Sequence, residues 1–162
     1  MWRTEVFHPL SVHFPIVLLL IGTISFLSYL LLRKNKTAAF LLPASRLLLW
    51  LGVVSVWVAI YTGDQAGGVV TRQLCDPTIL KQHENYAYWI GYIFTLGTLL
   101  ETSVVGLKKK HVAFTKPIMI ISCVLFILGT GFLMYVGHLG ASLVYQQGAG
   151  VYHPSEDCHE FN

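Results

Sequence analysis

Four long apolar stretches separated by short polar ones set the pattern of this chain. The first, Phe14 to Leu32, runs 19 residues without a charged side chain, about 28 Å at about 1.5 Å per helical residue, which matches a hydrocarbon core about 30 Å thick. Three more follow at Leu47–Gly63, Tyr86–Leu107 and Pro117–Gly137, each near the length that a tilted spanning helix needs. The pattern predicts an all-α membrane protein, a four-transmembrane-helix up-down bundle forming a single membrane domain over residues 1–162. A connection over 64–85 and a tail over 138–162 fall at one end of it. No internal repeat stands out.

Local signals place some of the ends. In Cys75-Asp76-Pro77, aspartate suits the N-cap and proline the first helical position, so the third helix is predicted to begin at Pro77 and to project about two turns beyond its apolar span. His8-Pro9 and Pro15 predict a short surface segment bending into the first span, because a proline cannot donate within a helix. The first span is followed by Arg33-Lys34-Asn35-Lys36 and no small-residue cleavage site, so a cleaved signal peptide is not expected.

Composition agrees with a lipid-facing molecule. Of 162 residues 54% are hydrophobic and 12% charged, where a soluble domain carries about 25% charged residues. The net charge of +3 comes from two basic loops, Arg33, Lys34, Lys36 and Arg46 after the first span and Lys108, Lys109, Lys110 and Lys116 after the third. That clustering is a topology signal and excludes a nucleic-acid footprint. It predicts both loops to be cytoplasmic, with the N-terminus and C-terminus outside, as in a multi-pass protein of the bacterial inner membrane facing the periplasm. Trp2, Phe7, Trp57, Tyr61, Tyr86, Tyr88, Trp89, Tyr92, Tyr135 and Tyr145 fall near the outer boundary, where an interfacial aromatic belt belongs.

This topology brings four histidines, His8, His13, His83 and His138, to one depth at the outer ends of the first, third and fourth spans. Imidazoles beside hydrocarbon are costly unless their lone pairs are used, and cofactor sites in bundles are built from facing helices at one level. Non-covalent haem b suits them, needing one or two axial imidazoles, apolar walls and room for its plane. His13 and His138 are the first choice of axial pair and His83 with His8 the second; if all four ligate, two haems can be held. Gly137 and Gly140 around His138, with Gly131 two turns below, could let a flat ring approach the backbone, though small residues also serve close helix packing.

Other readings stay open. The same histidines could bind a transition metal, with Asp64, Asp76 and Glu84 to complete a shell; no HExxH or similar tight spacing supports that. They could also be interfacial side chains of a structural or assembly subunit that binds no cofactor. His111, His153 and His159 are predicted to be solvated. Cys75, Cys123 and Cys158 form no CxxC or CxxCH motif, which excludes a zinc ribbon, a thioredoxin-like site and covalent haem. Cys75 and Cys158 both fall outside on this topology and are a candidate disulfide. Glu101, within the third span, is expected to reach the inner interface, with no second buried acid or base to exchange its proton.

The opening His8-Pro9-Leu10-Ser11-Val12-His13-Phe14-Pro15-Ile16 and the ending Gly137-His138-Leu139-Gly140-Ala141-Ser142-Leu143-Val144-Tyr145, with Gly148-Ala149-Gly150-Val151, resemble the bacterial membrane-protein family catalogued as domain of unknown function 2231. Thr62-Gly63-Asp64 and His83 fall where that family has a comparable turn and histidine, while Ala141 and Ser142 replace its usual glycine and polar residue. The resemblance covers almost the whole chain. It implies a small four-helix membrane domain that binds b-type haem and associates with redox partners. Bis-histidine ligation leaves no open iron position, so the expectation is an electron-transfer or accessory subunit of a membrane complex, not a stand-alone enzyme.

Overall fold

The structure, a computed structural model, describes residues 4–107 and 112–151. Four helices account for nearly all of them: α1 (Phe7–Leu32), α2 (Leu41–Val70), α3 (Pro77–Leu107) and α4 (Val112–Gln147). Each is long and apolar enough to cross a membrane. Single 3-10 turns at Thr4–Val6, Lys36–Ala38 and Thr71–Gln73 lead into or join them.

The helices outrun the apolar spans. α2 continues through Gln65 to Val70, so the connection predicted over 64–85 shrinks to residues 71–76. α4 continues through His138 to Gln147 and stops at Gly148, whose φ of 67° closes the helix with Ala149 N–H donating to Leu143 O at 2.9 Å. The expected bend before the first span is replaced by one helix that runs through Pro15. The carbonyl freed by Pro15 belongs to Ser11, one turn from the helix start, where the hydroxyls of Ser11 and Thr62 pair at 2.8 Å. α3 begins at Pro77 as expected. The Asp76 carboxylate accepts the Thr78 N–H at 2.9 Å and hydroxyl at 2.6 Å, and the Asp76 N–H donates to Gln147 Oε1 at 3.0 Å, tying this start to the end of α4.

The bundle is two helical hairpins, α1–α2 and α3–α4, densely packed within and more loosely between. Glycines set the close approach inside each. A methyl group on Gly22 would meet the Leu49 side chain at 3.0 Å and one on Gly52 would meet Leu19 at 2.5 Å. In the second hairpin, Gly97 faces Phe126 at 2.8 Å and Gly129 faces Phe94 at 2.7 Å in the same sense. Phe126 stacks on Phe94 within the second hairpin and packs edge-on against Phe26 of the first, with ring centroids 6.0 and 5.3 Å apart.

These contacts are the same contacts twice. Residues of α1 recur in α3 at an offset of 75: His8 and His83, Leu19 and Phe94, Gly22-Thr23 and Gly97-Thr98. Residues of α2 recur in α4 at an offset of 77: Ser45 and Ser122, Leu49 and Phe126, Gly52 and Gly129, Gly63 and Gly140. Thr23 and Thr98 are both buried with hydroxyls lacking a partner, and Ser45 and Ser122 are both fully buried. The chain therefore contains an internal repeat, His-x13-Gly-Thr on the first helix and Ser-x6-Gly-x10-Gly on the second, against the expectation of none. Both hairpins carry their histidine at the same end, so an approximate two-fold axis runs along the bundle.

Candidate functional site: a histidine pair on the repeat axis

The repeat builds the site. The His8 ring lies over Gly63, where an added methyl group would meet Cε1 at 3.0 Å, and His83 lies over Gly140, with Cε1 at 3.2 Å. One turn before each glycine is a carbonyl facing the ring: His8 Nδ1 is 3.0 Å from Ala59 O and His83 Nδ1 is 3.1 Å from Val136 O. A carbonyl only accepts, so Nδ1 carries the proton in both rings. In the neutral imidazole this leaves the Nε2 lone pair for a ligand, the arrangement that orients metal-bound histidines.

The two rings face each other across the hairpin interface with centroids 6.0 Å apart and planes at 88°. Around the pair is a cavity of about 380 Å³, within the range of ligand pockets, about 300–1,000 Å³. Val56, Ile60, Ile90, Leu133 and Val136 form apolar walls, and Gly63, Gly137 and Gly140 leave the helix backbones bare. Polar groups are few, chiefly the two rings, His13, and the acids Glu5, Asp64 and Glu84. Asp64 accepts the Tyr88 hydroxyl at 2.8 Å. The lining holds no lysine or arginine among the described residues, so an anionic substituent of a ligand must leave the cavity for water.

Of the four histidines singled out by depth, the structure brings together His8 and His83, with His13 on the cavity wall. His138 is exposed and lines none of it. The reason is helix phase: α4 turns Gly137, Gly140, Ala141 and Val144 toward the cavity, and a residue one position on from Gly137 points about 100° away. His13 and His138 therefore do not form the pair. Among the described residues no group of three or more His, Cys, Asp or Glu side chains is placed to share a metal ion, and Asp76 is spent on its cap. The Cys75–Cys158 pairing lies outside the described residues because Cys158 does, as do His111, His153 and His159.

A second polar feature lies toward the other end of the bundle. Glu101 is 1% exposed and takes a forked contact from Arg46: Nε to Oε1 and Oε2 at 3.0 and 2.9 Å, Nη2 to Oε1 at 2.7 Å. Arg46 counted in the sequence only as a loop cation; α2 begins at Leu41 and carries it into the bundle. Along the same α2–α3 contact, Trp50 Nε1 donates to Thr102 at 3.1 Å and Trp57 Nε1 to Thr95 at 3.1 Å. The 55-residue separation of Arg46 and Glu101 hid their pairing, whereas the Gly-Thr pair 14 residues after both His8 and His83 was a signal available to a search for spaced repeats.

No curated protein and no solved structure matches the chain. The family described as "Predicted membrane protein (DUF2231)" matches residues 5–153, nearly the full length and the whole of both hairpins, and the chain belongs to that family.

Proposed function

We propose that His8 and His83 hold one non-covalent b-type haem between the two hairpins, making the protein an electron-transfer subunit that works near one face of the membrane. The observation that carries this reading is the matched pair: one half-buried imidazole from each hairpin, each fixed through Nδ1 by a carbonyl one turn before the glycine beneath it. When bound, the iron would supply one-electron transfer. The chain's own part is to present two Nε2 lone pairs, wall the ring plane with aliphatic side chains and leave no further ligand position for oxygen. The positive-inside pattern of the sequence supports an outer location for this end of the bundle, the periplasm in a bacterial inner membrane. A redox partner protein would meet it there.

The test is the reduced-minus-oxidised absorption spectrum of purified protein with a pyridine haemochrome assay. A b-type spectrum with one haem per chain is expected. His8→Ala and His83→Ala should each abolish or convert it, while His138→Ala should leave it unchanged. Protein that takes up no haem, even with haem supplied during expression, refutes the proposal, and metal analysis would then decide whether the pair binds another ion.

A further inference from the structure

The repeat also shows where the two halves of the molecule stop being alike. Four polar contacts close the α2–α3 side of the bundle: Arg46–Glu101, Trp50–Thr102, Trp57–Thr95 and Asp64–Tyr88. The same offsets, 77 onward from α2 and 75 back from α3, give their counterparts on the α1–α4 side. They are Cys123 with Phe26, Ile127 with Leu27, Met134 with Leu20, and Ala141 with His13. Every polar pair but the last has become wholly apolar, and the last keeps one polar member. No hydrogen bond or ion pair joins residues 12–27 of α1 to 123–141 of α4 among the described residues, and Phe26 and Phe126 meet there ring to ring.

The α1–α4 seam is also the more open one. Met134 and Ile127 are 73% and 53% exposed, and no hydrogen bond joins His13 to Ala141 where their counterparts Tyr88 and Asp64, itself exposed, bond to each other. Both His13 and Ala141 line the cavity, with Val12 and Ile16 before it on α1 and Gly137 and Val144 on α4. A side that faces hydrocarbon needs no polar closure. An apolar seam can part and refill with lipid or ligand at little cost, whereas opening the α2–α3 side would strip four hydrogen-bonded contacts, those deeper in the bundle in a medium that offers no replacement.

We propose that the α1–α4 seam is the mouth of the binding site, through which an apolar, membrane-dissolved ligand enters sideways from the bilayer, with His13 the polar group that meets it at the threshold. This rests on the reading that the cavity holds a ligand, but not on that ligand being haem. The Tyr88–Asp64 latch on the opposite seam shows what a closed edge looks like in this fold, and His13 opposite Ala141 is that latch left undone.

The experiment transfers the latch. His13→Tyr with Ala141→Asp places the Tyr88–Asp64 pair at the equivalent point of the α1–α4 seam; Leu20→Thr with Met134→Trp does the same for the Thr95–Trp57 contact and serves should the first variant not fold. Both are made in a background with Cys75, Cys123 and Cys158 replaced and with Ala87→Cys as a reporter on the cavity wall. In lipid nanodiscs, the labelling rate of that cysteine by membrane-partitioning pyrenyl maleimide should fall at least about tenfold in the Tyr–Asp variant, where a hydrogen bond to a charged group has to open for each entry, and about threefold in the Thr–Trp variant, where the bond is neutral. A sulfonated, water-borne maleimide should be unaffected. An unchanged pyrenyl rate in a folded latched variant overturns the proposal. Haemin uptake is followed in parallel: a wild type that takes no haem while latching still slows labelling removes the haem reading and leaves the mouth in place.

Discussion

Breaking the Arg46–Glu101 contact from either side should give unequal losses, and breaking it from both should restore stability. Glu101 is 1% exposed and Arg46 23%, so the two partners are not equally able to find water when left alone. Removing one member of a buried ion pair costs about 3–5 kcal/mol because the other charge is stranded. Glu101→Leu leaves a guanidinium on a long side chain that already touches solvent and can snorkel further, which puts its cost near the lower bound, about 3 kcal/mol. Arg46→Met strands a carboxylate that accepts three short N–H contacts and has no exposed path, so its cost belongs near about 5 kcal/mol. The double variant removes both charges, and an apolar pair at such a site is commonly neutral or better. The molecule supplies its own precedent, since the equivalent positions of the other seam are Cys123 and Phe26. Reversible unfolding in mixed micelles, followed by tryptophan fluorescence, gives the cycle. A Glu101→Leu loss equal to or above that of Arg46→Met, or a double variant as unstable as the worse single, would refute the reasoning.

The glycines beneath the histidines separate packing from site. Gly63→Ala and Gly140→Ala put a methyl group 3.0 and 3.2 Å from a ring carbon, so each should lower haem content while leaving the bundle folded; Gly68→Ala, with nothing within 4 Å, should leave haem untouched and stabilise α2 by up to about 1 kcal/mol. Gly52→Ala and Gly129→Ala meet Leu19 at 2.5 Å and Phe94 at 2.7 Å, and overpacking should cost each about 1–3 kcal/mol, with similar values because the sites are equivalent. At the start of α3, the Thr78 hydroxyl and N–H hold the Asp76 carboxyl below its ordinary range. A depressed folded value means that the cap stabilises above the ordinary carboxylate pKa of about 3.9 and is lost as pH falls through the lower folded value. Hydrogen exchange at the Thr78 amide should therefore rise on acidification, and Asp76→Asn should remove that dependence.

The number of helices, the polar loops and the start of α3 were legible because hydrophobic length and an Asp-Pro cap are local properties. Helix ends were not: Gln65 and His138 read as exits from the membrane, yet a polar residue in a helix already propagating costs little, and α2 and α4 run past both. The end of the bundle was legible and direction was not. His8 and His83 meet, His13 lies about 7.5 Å further along α1, and helix phase turns His138 outward. The repeat stayed hidden because its identities are confined to contact points such as His8, Gly22, Thr23 and Gly63, set among interchangeable aliphatic residues. Its offset also changes from 75 in the first helix to 77 in the second, so no single register aligns both.

Having both hairpins point the same way carries an obligation for biogenesis. Each half crosses the membrane twice and returns to its starting side, and the short link at residues 71–76, with a reach of at most about 21 Å against a core about 30 Å thick, makes the second half start where the first one ends. Basic residues occur twice in the sequence between the helices of a hairpin, once in Arg33, Lys34 and Lys36 and again in Lys108, Lys109 and Lys110. On the positive-inside reading proposed above, each half would carry its own orienting charge. Were the second signal erased, the short link would still hold the start of α3 on the side where α2 ends, so His8 and His83 would stay on one face of the bilayer.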